Sequence, residues 1–338
     1  MTETKPLLSV RGLKKYFPQE SSKLFGKKSY LKAVDGIDFD LYEGETVGLV
    51  GESGCGKSTT ARILAGIETP SEGSAFYRGK DLFTMTKAEK AVIRTEIQMI
   101  FQDNYASLNP RRRVYDILVE PLLYHHRITK DQADAKVQEL LDMVGLPQNA
   151  SERYPQEFSG GQRQRISIAR ALALEPKVLI CDEPVSALDV SIQAQILNLL
   201  KDLQERLGVS YLFIAHGLGA VHYISDEIDV MYLGKIVEAG AEEDVFLHPL
   251  HPYTQLLIAA VPAVDPDHRT LLKANMGGEV PLSGATGTGC SFAPRCAYAT
   301  EKCFASKPPR FNFSGTHYAE CHRYAEEGFK LQGRDSNG

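Results

Sequence analysis

The sequence predicts an α/β fold with an added β-layer, a helical insertion and a small tail that carries four cysteines. Three observations favour this architecture. The apolar run Thr46–Val50 leads directly into a glycine-rich loop and a helix-forming stretch, the order found in parallel α/β cores. Apolar residues recur at three- and four-residue steps within residues 105–158, which is typical of helices. Beyond residue 240 the chain becomes rich in Gly, Pro and Cys.

Composition places the chain among ordinary globular proteins. Its 338 residues are 43 % hydrophobic and 24 % charged, enough for a domain of about 240 residues and an appendage. The formal net charge is −5 with both signs interspersed, so we expect no nucleic-acid partner. The basic cluster Arg111-Arg112-Arg113 fits a solvated loop. No signal peptide pattern and no apolar stretch near about 18 residues is found, so we expect a cytosolic protein.

The glycine-rich loop is the pattern on which the rest of the prediction depends. It matches G-x-x-x-x-G-K-[ST] and reads Gly51-Glu52-Ser53-Gly54-Cys55-Gly56-Lys57-Ser58-Thr59. Its glycines let backbone N–H groups close around a phosphate, and a helix over residues 57–65 points its positive end at the same anion. Lys57 would reach the β- and γ-phosphates, and Ser58 would place a hydroxyl on Mg²⁺. The sequence therefore predicts a bound nucleoside triphosphate with Mg²⁺.

The chain before this loop predicts the β-layer. Residues 7–17 begin as a strand, and residues 18–32 read as an inserted loop. Apolar residues then alternate with polar ones over 37–42, the pattern of a half-buried strand. Tyr16 precedes the phosphate loop and is placed to stack on a base. Simple packing within the strand is the alternative role for Tyr16.

A second anion-binding helix end follows the helical insertion. The run Phe158-Ser159-Gly160-Gly161-Gln162 opens a helix that we expect to reach Pro176. A Ser followed by two glycines leaves the first N–H groups of this helix open, with no side chain in the way. One chain therefore carries two phosphate-binding helix ends.

Polar side chains follow three predicted strands. Asp182 and Glu183 end the buried run Val178-Leu179-Ile180-Cys181, and Gln102 and His216 each follow another strand. Ligands bind at the carboxyl ends of strands in open α/β sheets. Asp182 is suited to hold Mg²⁺ through its water shell, and Glu183 is suited to polarise an attacking water. His216 is placed to reach a γ-phosphate.

In this order, over residues 7–262, the motifs resemble those of the ATP-binding cassette (ABC) family of ATPases. The resemblance implies a RecA-like P-loop core, an antiparallel β subdomain, a helical subdomain and ATP hydrolysis. It implies that ATP is bound by Tyr16, which stacks on adenine, by the Walker A residues Gly51, Ser53, Gly54, Cys55, Gly56, Lys57, Ser58 and Thr59, and by the signature Ser159, Gly160, Gly161 and Gln162. It further implies Mg²⁺ ligation by Ser58, Gln102 and Asp182, catalysis by Glu183 as base with Gln102 and the switch histidine His216, and a D-loop at Asp189.

The resemblance also implies a head-to-tail dimer, in which the signature of one subunit caps the ATP held by the other. Two residues depart from the family pattern. Phe158 stands where Leu is usual, which is a conservative apolar exchange. Gly217 stands where Asp is usual after His216, and this removes a side chain that could help to hold the switch loop.

The tail carries a second resemblance. His248-Pro249-Leu250-His251-Pro252-Tyr253-Thr254 predicts a Pro-fixed turn followed by a helix, and it is similar to the His-Pro-Tyr motif of the oligopeptide/dipeptide importer ATPases. The likeness continues through residues 289–296 and to Cys303 and Cys321. The long loop over residues 17–33 further resembles that of the second of the two paired ATPases in those importers, which implies a heterodimer.

The four tail cysteines predict a Cys₄ site. Cys290, Cys296, Cys303 and Cys321 are separated by five, six and seventeen residues, and this spacing by itself names neither zinc nor an iron–sulfur cluster. The tail has too few apolar residues to fold unaided. Resemblance to the importers implies a [4Fe-4S] cluster, with Zn²⁺ or unligated thiols as alternatives. His317 and His322 are surplus to four thiolates and are expected at the surface.

Together these features predict an ABC nucleotide-binding domain over residues 1–240, with its helical insertion at about 105–158, and an importer-type extension over 241–338. The expected function is ATP hydrolysis that powers import of oligopeptides or dipeptides. The expected partners are a second ABC ATPase subunit, two membrane-spanning permease subunits and, indirectly, an extracellular peptide-binding protein. The chain would lie at the cytoplasmic face of the membrane. We expect the tail to be independent of the phosphate loop.

Two other functions are compatible with the motifs. One is a soluble ABC ATPase that acts on nucleic acid or ribosomes. Such proteins usually carry two cassettes or long coiled-coil inserts, whereas this chain has one cassette and a compact insert. The other is a redox or iron sensor in which the cluster is the functional centre and ATP gates it.

Overall fold

The computed structural model describes residues 5–19, 29–103, 107–261 and 288–326, together with residues 328, 329 and 331. The chain divides into two compact units, each built from separate stretches. The helical unit comprises Met1–Leu7, Leu41–Thr46 and Thr84–Ile214, and the loop unit comprises Leu8–Asp40, Val47–Phe83 and Ala215–Gly338. Across the described ranges, no helix is both long and apolar enough to cross a bilayer.

The loop unit contains the predicted antiparallel β-layer. Its strands are β1 (Leu8–Gln19), β2 (Ser29–Leu41), β4 (Glu72–Tyr77) and β5 (Lys80–Asp81), in the order β2-β1-β4-β5. The alternation predicted over 37–42 is confirmed, because Ile37, Phe39 and Leu41 are buried. The predicted loop over residues 18–32 is too long at both ends, because β1 extends to Gln19 and β2 begins at Ser29. Residues 20–28 lie outside the described residues. Pro18 lies beyond the residues of β1 that pair with β4, so its missing N–H costs no hydrogen bond to that strand.

A second sheet of the loop unit carries the phosphate loop. It consists of β3 (Thr46–Val50), β9 (Glu227–Tyr232), β10 (Lys235–Ala241), β11 (Arg310–Ser314) and β12 (His317–Glu320), in the order β11-β12-β10-β9-β3. β3 and β9 are parallel and the other pairs are antiparallel. The tail therefore adds two strands to this sheet through Glu238↔Ala319 and Ala239↔Tyr318. Sequence reasoning missed these strands. The helices of this unit are α1 (Lys57–Leu64), α7 (Leu218–Ile224), α8 (Glu242–Leu247), α9 (Pro252–Ala259) and α10 (Glu301–Ala305), with 3₁₀ turns at Ala293–Arg295 and His322–Ala325.

The helical unit is built on three parallel strands. They are β6 (Ile97–Ile100), β7 (Val178–Asp182) and β8 (Ser210–Ala215), with β7 in the middle. The helices are α2 (Lys87–Glu96), α3 (Val114–Tyr124), α4 (Ala133–Met143), α5 (Gly160–Leu172) and α6 (Val190–Leu207), with 3₁₀ turns at Lys130–Gln132, Gln148–Glu152 and Pro155–Glu157.

The predicted helical insertion is confirmed by its apolar residues. Val137, Leu140, Leu141 and Val144 are all buried, as their three- and four-residue spacing predicts. Tyr105, where the insertion was expected to begin, lies outside the described residues. The helix that opens at Gly160 ends at Leu172, four residues before the predicted end at Pro176.

Candidate nucleotide site

The glycines of the phosphate loop permit close backbone approach. A Cβ at Gly56 would lie 2.1 Å from the carbonyl oxygen of Ala33, and a Cβ at Gly51 would lie 2.1 Å from that of Met231. Gly56 also has φ +114° and serves as the N-cap of α1 without a side-chain hydrogen bond. The first N–H groups of α1 therefore lack a side-chain cap, which leaves them suited to bind an anion. This geometry fits the phosphates of a nucleotide.

Lys57 lies within this loop. Its side chain is buried, and Nζ donates hydrogen bonds to the carbonyl oxygens of Gly51 at 2.6 Å and of Glu52 at 3.0 Å. An ammonium placed among loop carbonyls beside a helix N-terminus is positioned for phosphate oxygens. Ser58 is half-buried in the first turn of α1. The predicted order of strand, loop and helix is confirmed, with Lys57 and Ser58 at the start of α1.

Tyr16 is fixed through its hydroxyl group. The hydroxyl donates to the carboxylate of Asp35, and the Tyr16 backbone N–H donates to Ser71 Oγ at 3.0 Å. Partial burial and the hydrogen bond to Asp35 raise the pKa of Tyr16. The ammonium of Lys32 lies 5.3 Å from the ring centroid. These contacts hold the ring in one orientation, and its stacking on adenine stays a prediction.

The helical unit brings Gln102 and Glu183 together. Gln102 Nε2 donates a 2.7 Å hydrogen bond to Glu183 Oε2. Glu183 has φ +48°, a left-handed conformation that is uncommon outside glycine and often marks a functional site. Its backbone is held on both sides, because its N–H donates to Ile214 O at 2.9 Å and its carbonyl accepts from Ser186 Oγ at 3.1 Å. The preceding residue, Asp182, ends β7 and is buried.

The signature residues begin α5 as predicted, but the structure shows a different reason for a glycine at position 161. The hydroxyl of Ser159 accepts from the Gln162 N–H at 3.3 Å, and Gln162 Oε1 accepts from the Ser159 N–H at 3.0 Å, which forms a capping box. A Cβ at Gly161 would lie 2.5 Å from Ile192 Cγ2 of α6. Gly161 is therefore required for packing of α6, and not only for an open helix end. The unusual Phe158 is buried, with the guanidinium of Arg153 at 4.3 Å from its ring centroid.

The D-loop and switch residues lie at helix starts. Asp189 Oδ1 accepts from the Ile192 N–H at 3.0 Å and from Ser191 Oγ at 2.7 Å, and these hydrogen bonds lower the pKa of Asp189. His216 is exposed directly after β8. Gly217 has φ −112° and no atom within 4 Å of a Cβ built on it, so the Asp usual in the family would fit there.

The predicted site residues are shared between the two units. Tyr16, the loop of residues 51–59 and His216 belong to the loop unit. Gln102, the signature at residues 159–162, the Asp182-Glu183 pair and Asp189 belong to the helical unit. The predicted set is therefore divided between the two units.

The four tail cysteines lie close to one another in the loop unit. Burial raises the pKa of Cys290, of Cys296 to about 11 and of Cys321 to about 12, and the neighbouring thiols contribute in the same direction. Hydrogen bonds from backbone N–H groups oppose this rise. The N–H groups of Phe292 and Ala293 lower the pKa of Cys290. The Tyr298 N–H lowers the pKa of Cys296, and the Arg323 N–H lowers the pKa of Cys321. The Thr300 N–H donates to Cys303 Sγ at 3.5 Å.

The expected metal site is not seen in the arrangement of the described side chains. Within the described ranges, no group of three or more His, Cys, Asp or Glu side chains is arranged to hold a metal ion. This supports neither zinc nor an iron–sulfur cluster at the cysteines.

The prediction for His317 and His322 is wrong, because each is only 4 % exposed. His317 Nε2 lies 3.0 Å from Glu238 Oε1, and His322 Nε2 lies 2.8 Å from the carbonyl oxygen of Ser306. The reason is the pairing of β12 with β10, which buries His317 against the sheet. Spacing along the sequence carries no signal for this contact.

The sequence had indicated that the tail is independent of the phosphate loop, but the structure shows direct contacts between them. Arg295 and Tyr253 both bind Glu52, the second residue of the loop. Both residues lie in tail motifs that the sequence indicates, but the sequence carries no signal for their partner, which lies 201 and 243 positions earlier.

Comparison with known proteins identifies two family patterns. Residues 34–186 match the model for ABC transporters, and residues 237–303 match that for the C-terminal region of oligopeptide/dipeptide transporters. The dipeptide transport ATP-binding protein DppF of Haemophilus influenzae is 48 % identical over 306 residues, covering 90 % of this chain and 93 % of the relative. The oligopeptide transport ATP-binding protein OppF of Salmonella typhimurium is 49 % identical over 310 residues, covering 90 % and 93 %.

Solved structures of ATP-binding cassettes are similar to about seven tenths of the chain. A dimeric, post-hydrolysis structure of the ATP-binding cassette MJ0796 bound to ADP and Pi has a TM-score of 0.61 at 26 % identity, covering 70 % of this chain and 98 % of that one. CbiO1 of Clostridium perfringens, part of the transporter complex cbiONQ, has a TM-score of 0.61 at 26 % identity, covering 72 % and 91 %. The P-loop α/β cassette fold predicted from the sequence is confirmed.

Proposed function

The chain belongs to the family of ATP-binding proteins of dipeptide and oligopeptide ABC transporters, and we propose that it hydrolyses ATP to power import of oligopeptides or dipeptides. One observation carries this proposal. Relatives named for peptide transport match nine tenths of the chain, and the match includes the tail as well as the cassette. A soluble nucleic-acid-directed ATPase would need only the cassette, so the tail favours the transporter.

The residues of the phosphate loop bind ATP in this proposal. Lys57 and the N-terminal N–H groups of α1 hold the phosphates, and the glycines at 51, 54 and 56 let the backbone close around them. Mg²⁺, when bound, offsets phosphate charge, and the residues that would hold it are Ser58, Gln102 and Asp182. Tyr16 stacks on adenine.

Glu183 acts on the attacking water. Its carboxylate is held by the Gln102 amide at 2.7 Å and its backbone by Ile214 and Ser186. These contacts orient the base without adding a charge beside it. His216 would contact the γ-phosphate. The signature at residues 159–162 would close over the ATP of a second ATPase subunit, so that hydrolysis requires a dimer.

We also propose the partners and the location expected from the sequence. A second, related ATPase subunit completes the nucleotide sites, two permease subunits form the membrane path, and a peptide-binding protein delivers the substrate. The helical insertion at about 105–158 contacts the permeases, and its Tyr124 side chain is 77 % exposed. The protein then lies peripherally at the cytoplasmic face of the membrane. The cassette is assigned to residues 1–240 and the importer-type extension to residues 241–338.

The four tail cysteines remain our candidates for a [4Fe-4S] cluster, with Zn²⁺ as the alternative. Their support is the donor set itself: four neighbouring sulfurs, with backbone N–H groups directed at Cys290, Cys296, Cys303 and Cys321. Such N–H groups stabilise thiolates and tune iron–sulfur centres. Anaerobically purified protein should be brown and contain iron. A colourless, zinc-containing protein would support the alternative, and Cys296→Ser should release either centre.

Reconstitution tests the transport function. The chain, its partner ATPase and the permeases, placed in vesicles, should take up a labelled peptide when Mg-ATP is supplied. Lys57→Ala should abolish uptake and ATP binding, whereas Lys87→Ala, at an exposed position in α2, should change neither. ATP hydrolysis that responds to RNA or ribosomes but not to permeases would contradict the proposal. Hydrolysis that depends only on the oxidation state of the tail would favour the sensor function instead.

A further inference from the structure

We propose that the C-terminal extension positions the phosphate loop by binding Glu52 through both its side chain and its backbone. Arg295 and Tyr253 are then positioning residues for nucleotide binding. This rests on the proposed binding of ATP by the loop. No residue of the extension belongs to the predicted ATP-binding set, so this is a role that the cassette motifs do not supply.

The side chain of Glu52 is held by Arg295. Arg295 Nη1 donates to Glu52 Oε2 at 2.6 Å and Nη2 donates to Oε1 at 2.9 Å, a bidentate pair. The Arg295 side chain is only 8 % exposed and that of Glu52 is 25 % exposed. Bidentate geometry and partial exclusion of water distinguish this pair from an exposed surface salt bridge, which usually contributes little.

The backbone of Glu52 is held by Tyr253. The Glu52 N–H donates a 2.7 Å hydrogen bond to the hydroxyl oxygen of Tyr253, whose side chain is fully buried. The Tyr253 ring packs on Tyr232 at 4.6 Å and on Phe292 at 5.5 Å between centroids. The guanidinium of Arg295 lies 5.7 Å from the Phe292 ring centroid. One aromatic cluster therefore supports both groups that bind Glu52.

The Tyr253 end of the contact is itself rigid. The buried carboxylate of Glu238 accepts the backbone N–H groups of Leu250 at 2.8 Å and of His251 at 2.7 Å. His251 Nδ1 then accepts the Tyr253 N–H at 3.1 Å and caps α9. The His-Pro-Tyr motif is thereby fixed to β10, and this fixes the direction of the Tyr253 hydroxyl.

Glu52 matters to the loop for two reasons. Its carbonyl oxygen accepts from Lys57 Nζ at 3.0 Å and from the Cys55 N–H at 3.3 Å, so a shift of Glu52 would move the partner of the phosphate-binding lysine. In addition, an unpaired carboxylate in this loop would repel a triphosphate, and Arg295 neutralises that charge. Loss of Arg295 should therefore weaken ATP binding both by loosening the loop and by exposing a negative charge.

Equilibrium binding of a fluorescent ATP analogue with Mg²⁺ to the full chain tests this. Arg295→Ala should raise the dissociation constant about tenfold, which corresponds to about 1.4 kcal/mol. Tyr253→Phe keeps the aromatic packing and removes only the acceptor, and it should raise the constant about threefold, since an unpaired N–H remains. Arg310→Ala is the matched control, because Arg310 is an exposed arginine of the same tail whose guanidinium lies over Tyr318. It should bind as wild type.

A rescue variant separates loss of the Glu52 contact from general damage to the tail. Adding Glu52→Gln to Arg295→Ala removes the unpaired charge while keeping the loop backbone, and it should recover at least half of the lost binding free energy. Equal binding by Arg295→Ala and Arg310→Ala would overturn the inference, and a double variant no better than Arg295→Ala would overturn its charge-neutralising part. Lys57→Ala tells the two proposals apart. If Lys57→Ala still binds ATP, the assignment of the phosphate loop itself fails. If Lys57→Ala does not bind ATP but Arg295→Ala binds as wild type, only the role of the tail is rejected.

Discussion

The side-chain amide of Gln102 donates a 2.7 Å hydrogen bond to the carboxylate of Glu183, although the two residues are 81 positions apart. Gln102 follows β6 and Glu183 follows β7, and these strands are parallel neighbours in register. The carboxyl ends of adjacent parallel strands meet at one edge of a sheet, which explains the contact. The hydrogen bond links the proposed catalytic base to a residue expected to bind Mg²⁺.

Glu183→Gln should separate chemistry from binding. The amide keeps the shape of the carboxylate but cannot accept the proton of the attacking water, so turnover should fall about 100-fold or more. ATP affinity should stay within about twofold, because no phosphate-loop residue changes. Steady-state hydrolysis and equilibrium ATP binding by the reconstituted complex measure the two effects. Normal turnover by this variant would reject Glu183 as the base.

Gln102→Glu should make hydrolysis dependent on alkaline pH. The substitution places a second carboxyl group against that of Glu183, and two close carboxyl groups raise the pKa for loss of the second proton. A base must be deprotonated to act, so the acid limb of the pH–rate profile should move to higher pH by about one unit or more. Gln102→Ala also removes the hydrogen bond but adds no charge, so its acid limb should move less than that of Gln102→Glu. Identical profiles for the two variants would contradict this account.

Gly56→Ala and Gly54→Ala should differ in their effect on the loop. A Cβ at Gly56 would lie 2.1 Å from the Ala33 carbonyl oxygen, whereas one at Gly54 meets no atom within 4 Å. Both positions have positive φ, which costs about 1–2 kcal/mol for alanine. Only Gly56→Ala adds a backbone clash, and it should abolish ATP binding and lower the melting temperature further than Gly54→Ala. Equal melting temperatures would show that the loop relaxes around the new methyl group.

His251 should make the loop unit less stable in acid. Burial lowers the pKa of His251 to about 3, whereas an unfolded histidine titrates near about 6.5. Between these values the unfolded chain binds the proton and the folded chain does not, so stability falls as pH falls from about 6.5 towards 3. The slope from this one group is at most about 1.4 kcal/mol per pH unit.

Chemical denaturation of the wild type and His251→Asn at pH 7 and pH 5 measures this slope. Asn does not titrate, and its side-chain oxygen can still accept the Tyr253 N–H as an N-cap. The variant should therefore lose less stability between the two pH values than wild type. His248→Asn, at an exposed position of the same motif, is the control. A slope for His251→Asn equal to that of wild type would exclude His251 as the source.

Much of the fold could be predicted because its signals are local. The phosphate loop, the acid pair after β7 and the apolar spacing of α4 each lie within a short window of sequence, and each appears where expected. The roles of the glycines were predicted less completely. Gly161 was expected to keep a helix end open, but its contact with Ile192 depends on how closely α6 approaches α5, and no local pattern records that distance.

The sequence by itself determined the family of motifs, their order and the residues suited to bind phosphate, because strand and helix periodicity and glycine-rich turns act over neighbouring residues. The tertiary structure alone decided what the tail contacts. Glu52 meets Tyr253 and Arg295, which follow it by 201 and 243 positions, and β12 buries His317 against Glu238. Sheet pairing and side-chain packing bring these groups together, and such long-range contacts leave no periodic trace in the chain.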